Sequence, residues 1–336
     1  MRLEQVQLNQ LDWAALDARP DRVVFQSREW LSFLERTQRA RPVVARLEDA
    51  GQTLGWFTGA IVRRGGVPIL GSPFPGWTTA FMGFNLDSGV SRADAAAALP
   101  SFARRLRCLH VELKDRWISA DELETAGFVH GPTTTWEIAL DADEDALFVR
   151  MTSACRRAVR KGEKEGVVVE IAEDDGIADE YYAQLEEVFA KQGLRPTYDR
   201  ERVRALVGSL RPAGRIVCLR ARDPEGRSIA SALFPFDART AYFWGGASVQ
   251  ASQILRPNEA IMWHAMRLFR ERGLERIDLA GGGDYKRKYG AVERTFPFGR
   301  RALVPGLLRA RDLAARVVSR RLYGSTATAP AGLREG

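Results

Sequence analysis

The chain has 336 residues, 45% of them hydrophobic, which is apolar surface for more than one core and too much for a disordered chain. Lys and Arg number 50 against 43 Asp and Glu, a formal charge of +7 that favours an anionic partner without demanding nucleic acid. Cys108, Cys155 and Cys218 stand in no CxxC spacing, and the three histidines, His110, His130 and His264, are scattered. A disulfide framework, a zinc site and a Ser-His-Asp triad are therefore disfavoured.

The start, MRLEQVQLNQLDW, is polar and lacks the apolar core of a secretory signal, and no run approaches about 18 apolar residues. The expectation is a cytoplasmic protein whose only membrane contact is peripheral, at the inner face. FQSREWLSFLERT (25–37) predicts an amphipathic helix with Ser27 as N-cap. Residues 41–74 predict three strands with turns at Asp49–Gly51 and Gly65–Gly66. A helix over 91–106, interrupted at Pro100, precedes a strand at 108–114, a short helix at 119–127 and a strand at 133–141.

The order then repeats. Residues 143–166 read as helical, 167–173 as a strand, and 174–193 and 199–210 as helices. Residues 214–248 predict three strands, 257–273 a helix begun by proline and ended by glycine, and 274–281 a last strand. Helix, three antiparallel strands, long helix, strand thus occurs twice, with little residue identity between the copies. The division this implies is a domain over 1–141 and another over 142–302. A basic helix over 303–322 and a polar tail over 323–336, read as disordered, follow.

Four segments carry chemistry. In SACRRAVRKGEKEG, Arg157, Arg160, Lys161 and Lys164 recur at three- and four-residue steps and share one helix face beside Arg156. By composition this is either a solvated face or a holder of phosphates. In FWGGASVQASQILRPNEA a strand ends at Trp244, glycines follow, and a helix begins at Pro257 or Asn258. A helix N-terminus in this setting offers N–H groups to anions, yet the junction QILRPNEA has no glycine and its proline removes a donor. GSPFPGWTTAFMGFN (71–85) interleaves aromatics with glycine and proline, so Trp77 is either a platform for a sugar-like substrate or part of a packed loop. Finally, in GGGDYKRKYG the glycines 281–283 permit close backbone approach, and Tyr285, Lys286, Arg287, Lys288 and Tyr289 follow at once.

Together these segments resemble the FemAB-like family of aminoacyltransferases and its BioF2-like, or CelD-like, acetyltransferase relatives. WEIALDADEDALFVRMTSACRRAVRKGEKEGVVVEI (136–171) is similar to that family's strand, basic helix and Gly-Val strand. WGGAS followed by PNEAIMWHAMRLFRERGLERIDLAGG is similar to its penultimate strand, helix and glycine ending. YKRKYG (285–290) is similar to its aromatic-Lys-x-x-aromatic-Gly signature. The likeness is specific over 133–300 and architectural over 1–132.

The resemblance implies an α/β (α+β) fold of two tandem acetyltransferase-like (GNAT-like) domains, with mixed sheets flanked by helices. It implies acyl or aminoacyl transfer to a cell-envelope precursor, anionic or lipid-linked, of peptidoglycan or polysaccharide. The donor is aminoacyl-tRNA or acyl-CoA; no tightly bound cofactor and no metal are expected. Lys286 then stands near the developing oxyanion with the N–H groups of Gly281, Gly282 and Gly283, and Asp284 is the nearest carboxylate for proton transfer. Trp77, Trp244, Ser248, Asn258, Tyr285 and Tyr289 would contact substrate, and Arg156, Arg157 and Lys161 would hold its phosphates. A non-catalytic envelope-associated protein, bound through the C-terminal helix to membrane or tRNA, is the competing expectation.

Overall fold

The computed structural model describes residues 1–191 and 193–305. The described chain forms two compact units, residues 1–134 with 295–305, and Thr135–Arg294.

The first unit holds β1 (Arg2–Val6), α1 (Trp13–Asp17), α2 (Arg28–Gln38), β2 (Arg41–Asp49), β3 (Gln52–Arg64), β4 (Val67–Ser72), β5 (Gly83–Leu86), α3 (Arg92–Ala97), α4 (Leu99–Arg105), β6 (His110–Leu113), α5 (Ala120–Thr125) and β7 (Val129–Ala139). Ser27 caps α2 by accepting from the Trp30 amide, as the sequence predicts. The helix over 91–106 is two helices, α3 and α4, with Pro100 in the first turn of the second. Strand β3 pairs antiparallel with β4 along Ala60–Arg64 and with β5 along Gly55–Thr58, and β4 runs parallel to β6. The core gathers Val43, Phe57, Leu70, Phe84, Leu99, Phe102, Val111 and Leu123.

The second unit takes the end of β7, then α6 (Glu144–Arg150), α7 (Ser153–Lys164), β8 (Val168–Ile171), α8 (Ile177–Ala190), α9 (Arg200–Leu210), β9 (Ile216–Arg222), β10 (Ser228–Pro235), β11 (Thr240–Tyr242), β12 (Gly245–Ser248), α10 (Pro257–Glu271) and β13 (Arg276–Asp278). Strands β12, β10, β9 and β8 form one sheet in that order, while β11 runs parallel to β13, which pairs with β7. Their faces are closed by Phe234, Ile261, Met266, Phe269 and Ile277.

Three expectations change. The second domain does not extend to 302: β14 (Val292–Ala302) crosses into the first unit and pairs with β6, Gly299–Ala302 against His110–Leu113. The helical stretch 143–166 is two helices, because Thr152 is extended and caps α7 by accepting from the Cys155 amide. The loop 71–85 contains the end of β4 and the strand β5. The basic helix and tail expected beyond 303 lie outside the described residues, apart from 303–305.

Candidate active site

The last of the three strands expected over 214–248 is broken in two, β11 and β12, and the break organises what surrounds it. Residues 240–242 pair with β13, whereas 245–248 pair with β10. At the break the Phe243 amide donates to the Asp278 carbonyl at 2.8 Å, and the next amide, Trp244, donates to the Leu233 carbonyl at 3.0 Å. Two consecutive residues therefore serve different sheets.

Aromatic groups fill one side of this break. The Trp244 ring lies 4.9 Å from Tyr198 and 6.5 Å from Tyr181, and the two phenol oxygens share a hydrogen bond of 2.7 Å. Burial raises the pKa of both phenols, so they are neutral hydrogen-bonding groups at physiological pH. Gly245 permits the arrangement: a Cβ there would stand 2.2 Å from the Tyr181 hydroxyl. Among the described residues the buried Trp244 Nε1 finds no hydrogen-bond partner. Ser248, also buried, accepts from Asn258 Nδ2 at 3.1 Å, so these two predicted residues meet each other.

On the helical side, the chain leaves β12 through a 3-10 turn (Gln250–Leu255) and enters α10 through Arg256, which holds a left-handed φ of 61°. Helix α7 lies directly on this junction. A Cβ on Gly162 would come 3.2 Å from the Leu255 carbonyl oxygen and 3.7 Å from that of Arg256. Beside the contact is a pocket of about 370 Å³ lined by Thr152, Cys155, Arg157, Lys161, Arg256, Glu259 and Lys288, with Ala154 and Ala158. Four cations face one carboxylate there. Burial pushes the Cys155 thiol up to about 11, so it is a packed thiol rather than a nucleophile.

The segment GGGDYKRKYG brings the end of β13 to this pocket. Asp278 is fully buried; its Oδ1 accepts from Thr135 Oγ1 and, at 2.7 Å, from the Ala280 amide. Gly281 and Gly283 have φ of 30° and 126°, and a Cβ on Gly283 would stand 2.7 Å from the Tyr285 ring, so glycine is required there. A 3-10 turn over Asp284–Tyr289 follows. The buried Lys286 turns inward, and its Nζ donates to the carbonyls of Ala280 and Gly281, the latter at 3.0 Å. Arg287 stacks over Trp136 at 5.3 Å. Lys288 points to the pocket, bonded to Glu259 at 2.7 Å and lying 4.8 Å from the centre of the Tyr289 ring, while its carbonyl accepts from the Thr152 amide at 3.0 Å.

The structure therefore sorts the predicted residues. Arg157 and Lys161 line the pocket, but Arg156 bends back to donate to the carbonyls of Val149 and Met151, closing the C-terminus of α6. Asp284 and Tyr285 are exposed and Tyr289 is buried. Trp77 is no exposed platform. It is 8% exposed and packs 4.7 Å from Phe74, whose ring occupies the space that Gly71 leaves by lacking a side chain. Sequence reasoning missed Arg256, Glu259, Tyr181 and Tyr198 and noted Lys288 without assigning it a role. The RPNE start of α10 was a usable signal for the first two; the two tyrosines are far apart in the chain and carry none. Among the described residues no helix is long and apolar enough to cross a membrane.

Residues 150–289 match the family model described as an acetyltransferase (GNAT) domain. No curated protein matches the sequence. Among solved structures, the chain is similar to the crystal structure of FemX, with a TM-score of 0.72 at 15% identity over 88% of this chain and 96% of that one. It is similar to L-PGS from Bacillus licheniformis, with a TM-score of 0.54 at 12% identity over 88% and 98%. It is also similar to a tandem GNAT protein from the clavulanic acid biosynthesis pathway, with a TM-score of 0.51 at 12% identity over 90% and 99%. Residues 150–289 thus match an acetyltransferase (GNAT) domain, and the chain shares its fold with FemX and with the tandem GNAT protein.

Proposed function

We propose that the protein transfers an acyl group, and more specifically an aminoacyl group, to a cell-envelope precursor. The observation that carries this reading is the pocket between α7, the first turn of α10 and the 284–289 turn. It gathers cations beside the broken strand, where a donor's phosphates would anchor while its carbonyl reaches the break. A similar fold, the C-terminal domain of a protein from Agrobacterium fabrum described as a lysylphosphatidylglycerol synthetase, has a name that fits envelope chemistry.

The donor side favours an RNA-borne ester over a thioester. Backbone N–H groups at the start of α10 are the natural cradle for a diphosphate. Here Pro257 lacks one, Glu259 places a carboxylate in the first turn, and α7 covers the junction. Anions are left to the side chains of Arg157, Lys161, Arg256 and Lys288. The family match to acetyltransferases keeps acyl-CoA as the second reading.

In the transfer, the acceptor's amine or hydroxyl attacks the donor carbonyl to form an oxyanion, which needs hydrogen-bond donors in fixed positions; it then collapses, breaking the ester bond and releasing the tRNA ribose as its hydroxyl, which takes up the proton the acceptor gives up. Lys286 fastens the glycine loop by two of its carbonyls and so positions the N–H groups of Gly281–Gly283. Asp284 is exposed on the same turn, placed to take up the acceptor's proton. Trp244 and the paired phenols of Tyr181 and Tyr198 are buried behind the break and hold its shape rather than touching the acceptor. The test is incorporation of labelled amino acid from aminoacyl-tRNA, and of labelled acetyl from acetyl-CoA, into lipid-linked peptidoglycan precursor, each with and without RNase. RNase-sensitive aminoacyl incorporation is expected; RNase-insensitive release of CoA thiol would replace the first reading with the second, and no incorporation from either donor would end both.

A further inference from the structure

We infer that Glu259 is a resident counter-ion in this pocket, standing where a ligand's phosphate will stand, and that a phosphate-bearing ligand takes Lys288 from it. Many arginines in the second unit are engaged by carboxylates, Arg200, Arg204, Arg220 and Arg222 among them. Arg157, Lys161 and Arg256 have none among the described residues, and all three line one pocket. The fourth cation there, Lys288, is held by Glu259, whose side chain is only 13% exposed. A carboxylate sunk among four cations lowers the cost of the empty state and competes for the same cations with any incoming anion.

The pair is built to separate. Glu259 occupies the first turn of α10, where the N-terminal end of the helix stabilises a carboxylate after Lys288 has left. Lys288 keeps the face of Tyr289 as a second partner while it swings to a ligand. Lys288 also ties the three walls together, its side chain to α10 and its carbonyl to α7, so exchanging its partner is sensed by each wall. The chemistry that fits is two adjacent phosphates, as a diphosphate or as successive phosphodiesters. This deepens the donor side of the proposed function and rests on that reading only for the ligand's identity.

Calorimetric titration of the full chain with inorganic pyrophosphate tests it. The wild type binds. Glu259→Gln binds about tenfold more tightly, because one opposing charge close to the ligand is gone, and its ligand-free melting temperature falls while the rise induced by pyrophosphate grows. Glu259→Asp, which withdraws the carboxylate by one methylene, moves both readouts the same way by less and serves if the Gln variant does not fold. Lys288→Gln weakens binding. Unchanged or weaker binding in both Glu259 variants overturns the inference, as does absence of pyrophosphate binding. Displacement of pyrophosphate by a CCA trinucleotide but not by CoA identifies an RNA-borne ligand, displacement by CoA but not CCA a nucleotide thioester, and displacement by neither overturns the assignment of the ligand class. Pyrophosphate binding without any transferase activity would leave this inference standing and remove the function proposed above; transfer without pyrophosphate binding would do the reverse.

Discussion

Gly245→Ala is the sharpest structural test of the broken strand. Gly245 opens β12, and the Cβ of an alanine would stand 2.2 Å from the Tyr181 hydroxyl and 3.3 Å from the carbon that bears it. Tyr181 is fully buried and bonded to Tyr198 at 2.7 Å, so it has no free volume into which to retreat. Forcing a methyl into a packed site costs about 1–3 kcal/mol. Separating the two hydroxyls leaves buried polar groups unsatisfied, at about 1–3 kcal/mol more. The sum, about 2–6 kcal/mol, lowers the melting temperature by roughly 3–9 °C for a protein of this size. The offending atom is one oxygen, so Tyr181→Phe in the same chain should recover about 1–3 kcal/mol of the loss, the overpacking part. Thermal unfolding of the two single variants and the double variant measures this. A double variant no more stable than Gly245→Ala would refute the contact and the geometry of the break built on it.

Three further outcomes follow. Lys286→Met should release the glycine loop, seen as faster proteolysis within 279–286, and should lower transfer by about 10²–10³-fold, the usual effect of misplacing an oxyanion donor; full activity would show that the loop is not catalytic. Trp77→Ala should cost about 3–5 kcal/mol in unfolding free energy, as a buried aromatic does, with an unchanged KM for both substrates in the folded fraction; a raised acceptor KM would restore it as a substrate platform. The hydrogen bonds and charge of Arg220 hold Asp174 down at about 2 from 3.8. That contribution to stability is present above pH 4 and is lost as the pH falls through 2. Asp174→Asn should be less stable than wild type at pH 7 in a denaturant titration, and the gap should close by pH 2; a gap that is constant with pH would contradict the pairing.

The repeat of architecture was legible because it rests on local signals. Caps such as Ser27 and Pro257, glycines after helices, and alternating strands are written within a few residues of the elements they bound. What was not legible depends on distant partners. Strand β14, VERTFPFGRRA, is largely polar and charged, and only pairing with β6, far away in sequence, makes it a strand of the first unit. The break at Phe243–Trp244 has no marker beyond its glycines, since it arises from two amides choosing different sheets. At the site, the basic face of α7 was readable from spacing, but which of its cations converge was decided by α6, whose C-terminus captures Arg156. By composition the motif YKRKYG reads equally as a substrate loop or a solvated turn. Its two lysines are two residues apart on a tight turn, so one faces the loop carbonyls and the other the pocket, a division that no composition reveals.

The central claim is that the pocket between α7, α10 and the 284–289 turn holds the donor. The most direct measurement is steady-state transfer by Arg157→Glu/Lys161→Glu, which reverses two pocket charges on the surface of α7. The donor KM should rise at least tenfold with kcat nearly unchanged, the pattern of lost ground-state binding, and the acceptor KM should stay unaltered. An unchanged donor KM, or a loss confined to the acceptor, would contradict that claim.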